Sequence, residues 1–201
     1  MTARVLIFAK APLMGLSKTR LAKGLGKAEA QRLARMSFAR TVRAAMDPRW
    51  QTRLYAAPDK MLGDGLGGLW PQSLIRCSQG HGSLGDRLAR GYREAPPHSS
   101  LIFIGADAPD VTKALLWRAI GGLRTHDGVV GPASDGGFWL LGLRRTHRTD
   151  HPFAGVRWSS AHTLSDVLEN LGESARIARL PTMIDLDEAE DWQAWAASQR
   201  R

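Results

Sequence analysis

A short, wholly apolar run, Leu101-Ile102-Phe103-Ile104-Gly105, leads directly into Ala106-Asp107-Ala108-Pro109-Asp110-Val111-Thr112. Apolar residues without alternation read as a strand buried on both faces. The acid just beyond it is then fixed at the end of a central strand. There a hard cation, Mg2+ or Mn2+, finds carboxylate oxygen and keeps other positions for phosphate oxygens and water. Asp107 or Asp110 could instead cap the next helix, but Thr112 caps equally well, which leaves Asp107 for metal. A second acid lies in Gly131-Pro132-Ala133-Ser134-Asp135-Gly136-Gly137-Phe138. Asp-Gly between apolar runs signals a hairpin turn. Turn and site are compatible: Gly136 and Gly137 let the backbone approach a substrate while Asp135 projects as a catalytic carboxylate. The complementary charge lies in Lys10-Ala11-Pro12-Leu13-Met14-Gly15-Leu16-Ser17-Lys18-Thr19-Arg20-Leu21. Proline and glycine make it a loop. Gly15 lets amides come close to a ligand, and Lys10, Lys18 and Arg20 complete a cradle for a diphosphate or triphosphate. It is not a Walker A loop, because two residues separate Gly15 from Lys18.

These segments need a scaffold that brings them to one place. Strand-like runs fall at residues 5–9, 53–57, 74–77, 101–105, 128–131, 138–143 and 176–180. Helix-like stretches fall at 28–46, 84–94, 112–123, 161–171 and 188–198. Such alternation predicts an α/β fold with a mostly parallel central sheet covered on both faces, a three-layer sandwich. In sheets of that kind ligands bind beyond the carboxyl ends of the strands. Pro96-Pro97 is the sharpest break and is too short for a linker, so residues 1–201 are expected to form a single domain.

The net charge of +9 is concentrated early: residues 1–60 hold thirteen Lys/Arg against three Asp/Glu, and the remainder is close to neutral. Arg32, Arg35, Arg40 and Arg43 lie off the apolar stripe of the 28–46 helix, as a solvated face or as an electropositive rim for an anionic substrate. A basic nucleic-acid-binding module is disfavoured, since aromatic-interleaved basic strands and zinc spacings are missing. With one cysteine, Cys77, the chain has no internal disulfide or multi-cysteine metal site, and Cys77 reads as a small buried hydrophobe. No apolar run reaches the length of a membrane span, and the first residues lack a cleavage-site pattern, so a cytoplasmic protein is expected.

Other motifs carry less. The glycines of 63–68 follow no clear strand and are not a dinucleotide fingerprint. His147 and His151 are spaced i, i+4, but Pro152 follows and no helical stripe surrounds them, so a zinc role is disfavoured. His81 sits in a glycine-rich loop before the 84–94 helix and reads as a solvent-facing histidine. Trp158 with Ser159 is the remaining substrate-facing pair, although serines there also suit the start of the next helix.

Taken together, Phe8-Ala9-Lys10-Ala11-Pro12, Lys18-Thr19-Arg20-Leu21, Gly105-x-Asp107-x-Pro109, Gly131-Pro132-x-x-Asp135-Gly136-Gly137 and Val156-x-Trp158-Ser159 resemble one bacterial family. It is that of the radical-SAM/selenodomain-associated transferases, labelled arsenosugar-biosynthesis glycosyltransferases. The motifs match in order over nearly the whole chain. The resemblance implies a GT-A-like, Rossmann-like fold of the nucleotide-diphospho-sugar transferase class. Lys18-Thr19-Arg20-Leu21 and Asp185-x-Asp187-x-x-x-Asp191-Trp192 are also similar to phospholactate and molybdenum-cofactor guanylyltransferases. By that analogy Lys18 and Arg20 meet phosphates, Asp107 binds metal, and Asp187 or Asp185 supplies a second carboxylate. The chain departs from the glycosyltransferase pattern in having Asp107-Ala108-Pro109-Asp110 where an Asp-x-Asp is usual.

Two reactions fit these residues. In the first, a nucleotide sugar donates its sugar to a small acceptor, metal at Asp107 neutralises the leaving diphosphate, and Asp135 takes the acceptor's proton. In the second, an acceptor phosphate attacks the α-phosphorus of an NTP and pyrophosphate leaves toward Lys18, Arg20 and metal. The family resemblance and the Asp-Gly-Gly loop favour the first.

Overall fold

The computed structural model describes residues 2–146 and 151–200. Along these residues the elements are β1 (Ala3–Lys10), α1 (Thr19–Leu25), α2 (Lys27–Ala45), β2 (Gln51–Ala57), β3 (Ile75–Ser78), α3 (Leu84–Glu94) and β4 (Ser100–Gly105). They continue with α4 (Lys113–Gly122), β5 (Gly128–Pro132), β6 (Phe138–Arg144), α5 (Thr163–Leu171), β7 (Ile177–Arg179) and α6 (Ala189–Ser198). The strands form one seven-stranded sheet in the order β3-β2-β1-β4-β6-β5-β7. All neighbours are parallel except β6, which runs antiparallel to both β4 and β5. The expected mostly parallel α/β architecture in a single domain is the one observed.

Alternation along β1 builds two cores. Val5 and Ile7 point to a layer containing Phe38 and Val42 of α2 and Leu116 of α4. Leu6 points the other way, to Leu88 and Tyr92 of α3 and Val167 of α5. Side chains of a strand alternate between faces, so a strand apolar at every position must be covered on both. No described helix is long and apolar enough to cross a membrane.

The structure corrects the sequence reading in several places. The first loop ends earlier than expected, because Thr19–Leu25 forms α1. Seven residues are too few to show a helical period or to be stable alone. Tertiary contact holds the segment instead: Leu21 is fully buried with Ala30 and Leu33 of α2, and a Cβ on Gly24 would come within 2.6 Å of the Ala189 side chain in α6. Three of the four α2 arginines, read as a solvated face or a rim, have partners within the protein. Arg32 pairs with Glu29 at 2.6 Å and lies over Trp192, Arg40 lies over Trp195, and Arg35 donates to the Leu66 carbonyl at 3.3 Å. Arg32 and Arg40 bind α2 to α6, and the stacked Trp192–Trp195 pair provides the surface.

Candidate functional site

Four segments meet at the carboxyl edge of the sheet. The loop after β1 carries Lys18, the turn after β4 carries Asp107, the β5–β6 hairpin carries Asp135, and the chain after β7 carries Asp185 and Asp187. The last segment has little regular structure and is held by backbone bonds. Met183 N donates to the Pro132 carbonyl and Ser134 N to the Met183 carbonyl, both at 3.0 Å. Leu186 N donates to the Asp107 carbonyl at 3.1 Å. These bonds fasten Asp185 and Asp187 beside Asp107, and Trp139 adds an indole bond to the Pro181 carbonyl.

At the centre, the Lys18 ammonium lies 2.7 Å from Asp107 Oδ1 and 2.8 Å from Asp187 Oδ1. Lys18 has positive φ (53°) just before α1, a conformation that costs a non-glycine residue energy. Its side chain is only 6% exposed. Burial works to lower its pKa, but the two carboxylates outweigh burial and hold the ammonium above its ordinary value. Asp187 shows the converse: burial pushes its carboxyl up, and Lys18 more than reverses this, leaving it below the usual range. At Asp185 the Lys18 charge is outweighed. Burial first, then repulsion from Asp107 and Asp135, raises its pKa to about 7 despite Lys18. Its Oδ1 is buried without a hydrogen-bond partner.

Around this triad the cleft has two joined compartments that share Phe8, Leu84, Asp107, Ser159 and Asp187. One, of about 420 Å³, is polar and is lined by Lys10, Lys18, Gln79 and Arg87. The other, of about 340 Å³, is lined by Arg20, Asp135 and Asp185 and walled by Phe103, Phe138 and Trp158. Phe8 is fixed in a stack with Tyr55 (4.8 Å, 5°). Trp158 packs edge-on to Phe138 and lies against Gly85, where a Cβ would come within 2.8 Å of the indole nitrogen. Arg157 and Asp166, joined at 2.6 Å with a further bond from Arg157 N, brace the loop that carries Trp158 and Ser159.

The structure therefore brings Lys10, Lys18, Arg20, Asp107, Asp135, Asp185, Asp187, Gly137, Trp158 and Ser159 to one cleft. Two expected contributors do not line it. Gly15 stands at an exposed outer turn with φ 76° and open space around its α-carbon. Gly136 (φ 88°) faces the chain before α5, where a Cβ would meet the Ala161 carbonyl at 2.5 Å. The β5–β6 connection is a hairpin, and Asp135 Oδ1 accepts from Gly137 N at 2.8 Å within it. Asp110 is turned away and accepts from Trp195 Nε1 at 2.8 Å, while Thr112 caps α4. His81 is exposed and outside the cleft. His147 lies outside the described residues, and His151 stacks on Phe153. The Cys77 thiol is half-buried with its pKa pushed up by burial, as suits a hydrophobe.

Arg87 went unread in the sequence. It lies on α3, one turn past the capping serine Ser83, and points into the polar compartment. Its Nε is buried without a partner, and its guanidinium reaches only the Gln79 amide oxygen at 3.3 Å. Gln79 is itself fixed by bonds to the Ala9 and Tyr55 carbonyls at 2.9 and 2.8 Å. A charge on a helix face normally reads as solvated, so no local signal separates Arg87 from its neighbours.

A seven-stranded sheet with one reversed strand between two helical layers, and its cleft at the carboxyl edge, is the fold of nucleotidyl- and sugar-transferase structures. The chain belongs to the DUF2064 family of uncharacterized proteins conserved in bacteria, whose model matches residues 40–160. No curated protein matches its sequence. A protein from Desulfovibrio desulfuricans G20, provisionally described as a nucleotide-diphospho-sugar transferase, superposes with a TM-score of 0.88 at 24% identity over 100% of this chain and 89% of its own. The 4-diphosphocytidyl-2C-methyl-D-erythritol synthase of Anaerococcus prevotii superposes with a TM-score of 0.64 at 10% identity over 100% and 99%. Rv0371c of Mycobacterium tuberculosis H37Rv, solved in complex with manganese, gives 0.56 at 15% identity over 98% and 100%.

Proposed function

We infer that the protein is a cytoplasmic, metal-dependent transferase that moves a sugar from a nucleotide sugar to a small acceptor. The observation that carries the reading is the arrangement of Lys18 between Asp107 and Asp187, at the junction of a cationic compartment and a carboxylate-lined one. Lys10, Lys18 and Arg87 bind the donor's phosphates, for which ionised donors are the strongest hydrogen-bonding partners. Arg20 approaches the leaving diphosphate from the second compartment. The names of the fold relatives, which include a nucleotide-diphospho-sugar transferase, support a nucleotide-activated donor. So does the resemblance of the motifs to the radical-SAM-associated glycosyltransferases.

The residues suit a divalent cation, Mg2+ or Mn2+. Asp107 and Asp187 offer hard carboxylate oxygens, and their attraction for positive charge is visible in the bridging ammonium. Among the described residues no three acidic, histidine or cysteine side chains form a metal-holding group. Asp107 and Asp187 would hold the cation together with phosphate oxygens and water. Bound there, the cation supplies electrostatic stabilisation of the leaving diphosphate. Asp135, exposed at the hairpin, takes the proton of the attacking acceptor. Gly137, Trp158 and Ser159 hold the substrate against the second compartment.

The second reading is nucleotidyl transfer, in which an NTP donates its nucleotide to a phosphorylated small molecule. It is favoured by the 4-diphosphocytidyl synthase among the fold relatives. Product analysis distinguishes the two: glycosyl transfer releases nucleoside diphosphate from a nucleotide sugar, and nucleotidyl transfer releases pyrophosphate from an NTP. Release of neither, across a panel of both with metal and varied acceptors, contradicts the transferase assignment.

A further inference from the structure

The two compartments differ in charge, and the difference bears on what the acceptor is. In the polar compartment, Lys10, Lys18 and Arg87 face Asp107 and Asp187. In the other, Arg20 is the single cation among the described lining residues, against Asp107, Asp135, Asp185 and Asp187. The remaining wall combines aromatic side chains with the hydroxyls of Ser159, Ser160 and Thr163. Phe103, Phe138 and Trp158 line it, and Leu84 stands 43% exposed where the compartments meet.

A phosphorylated acceptor placed there would bring its negative charge to Asp135 and Asp185, which no cation among the described residues pairs as Lys18 pairs Asp107 and Asp187, with Arg20 the one cation of the lining. Like charges juxtaposed in a partly desolvated site are a strong basis for rejecting a ligand. An uncharged ring with a hydroxyl group meets no such penalty. Its apolar face packs on Trp158 and Phe138, as flat apolar faces pack on aromatic side chains, and its hydroxyl reaches toward Asp135. We propose that this compartment takes a neutral, hydroxyl-bearing acceptor with an apolar face and excludes phosphate esters.

This rests on the transferase reading and selects glycosyl over nucleotidyl transfer within it. The acceptor oxygen bonds to the anomeric carbon of the donor sugar. The bond from that carbon to the diphosphate oxygen breaks, its electron pair leaves on the nucleoside diphosphate, and the acceptor's proton passes to the Asp135 carboxylate. No further reactant is needed.

The test uses the full chain with Mg2+ or Mn2+ and a panel of UDP-, GDP- and dTDP-sugars and NTPs. Acceptors are offered as matched pairs: phenyl β-glucoside against glucose 6-phosphate, and benzyl alcohol against benzyl phosphate. Release of nucleoside diphosphate and of pyrophosphate is measured alongside nucleotide binding. The neutral members should raise nucleoside diphosphate release about tenfold or more above the phosphorylated ones. Trp158→Ala should raise KM for the neutral acceptor several-fold and leave nucleotide affinity unchanged, with Trp158→Phe restoring most of the loss. Nucleotide binding with turnover only of the phosphorylated members, or with no preference within the pairs, overturns the acceptor assignment and leaves the transferase reading standing. Absence of nucleotide binding throughout overturns both.

Discussion

Lys18 and Asp107 form a 2.7 Å ion pair in which the lysine side chain is 6% exposed and the aspartate 47%. The lysine is thus enclosed by protein while its carboxylate partner remains open to the cleft. Asp187, 50% exposed, completes the bridge from the other side. An ammonium held this way neutralises the two acids across the cleft.

Replacing Lys18 by Ala should act on stability and metal binding in opposite directions. Breaking a buried pair costs roughly 3–5 kcal/mol; with both acids half-exposed, about 1–3 kcal/mol is expected. The midpoint falls by about 2–4 °C for each kcal/mol in a domain of this size. Because the ammonium competes for oxygens of Asp107 and Asp187, Mn2+ alone should stabilise the variant more than the native protein. Equal Mn2+ shifts in calorimetry would show that metal does not use those oxygens.

Asp185 gives a pH signature in the metal-free protein. Its pKa is about 7 in the folded chain against 3.8 ordinarily. Between those values the folded state holds a proton that the unfolded chain has released, so stability falls as pH rises through the window. Asp185→Asn should therefore be more stable than the native protein at pH 8, by an amount on the order of a few kcal/mol, and that gain should vanish as pH falls below the ordinary value of 3.8. Melting curves across this range decide it; a gain independent of pH would assign the effect to packing.

Gly85→Ala tests how the acceptor wall is positioned. The new methyl would stand 2.8 Å from Trp158 Nε1 and 2.9 Å from the Phe153 carbonyl, so the indole must move. Overpacking of this kind costs roughly 1–3 kcal/mol. The expected kinetic result is a raised acceptor KM with unchanged nucleotide affinity. Loss of nucleotide affinity instead would mean that the two compartments do not act separately.

Arg87→Ala should weaken nucleotide binding by about tenfold, the order expected for one charge-assisted phosphate contact. Stability should hold, because Arg87 makes one 3.3 Å bond to Gln79 and its Nε makes none. A destabilised variant with native nucleotide affinity would place Arg87 in the scaffold.

The sheet was legible because its central strands carry patterns of their own. Residues 101–105 and 5–9 are apolar throughout, and both are covered on two faces. Asp107 and Asp135 were legible because glycine and proline mark the turns just beyond strands. What escaped depends on distant partners. Helix α1 exists because Leu21 reaches Leu33 and Gly24 approaches Ala189. The α2 arginines have no sequence signal that Trp192 and Trp195 lie beneath two of them. Nor did Gly136 disclose that its bare α-carbon serves the chain before α5 rather than the cleft. The most consequential contact, Lys18 to Asp107 and Asp187, joins three segments far apart in sequence, so charge type alone placed them in one site without revealing that they touch.

The most direct test of the account is the melting temperature of the protein under saturating nucleotides and nucleotide sugars, each with and without Mg2+ or Mn2+. A ligand at about a hundred times its Kd stabilises the native state by roughly 2.7 kcal/mol. That corresponds here to a rise of about 5–10 °C. The account predicts such a rise for a nucleotide sugar with metal, a smaller one for the nucleoside monophosphate, and loss of most of it when Lys18 and Arg20 are both replaced by Ala. No shift with any nucleotide in the presence of metal, together with a shift on adding a DNA or RNA oligomer, would contradict it.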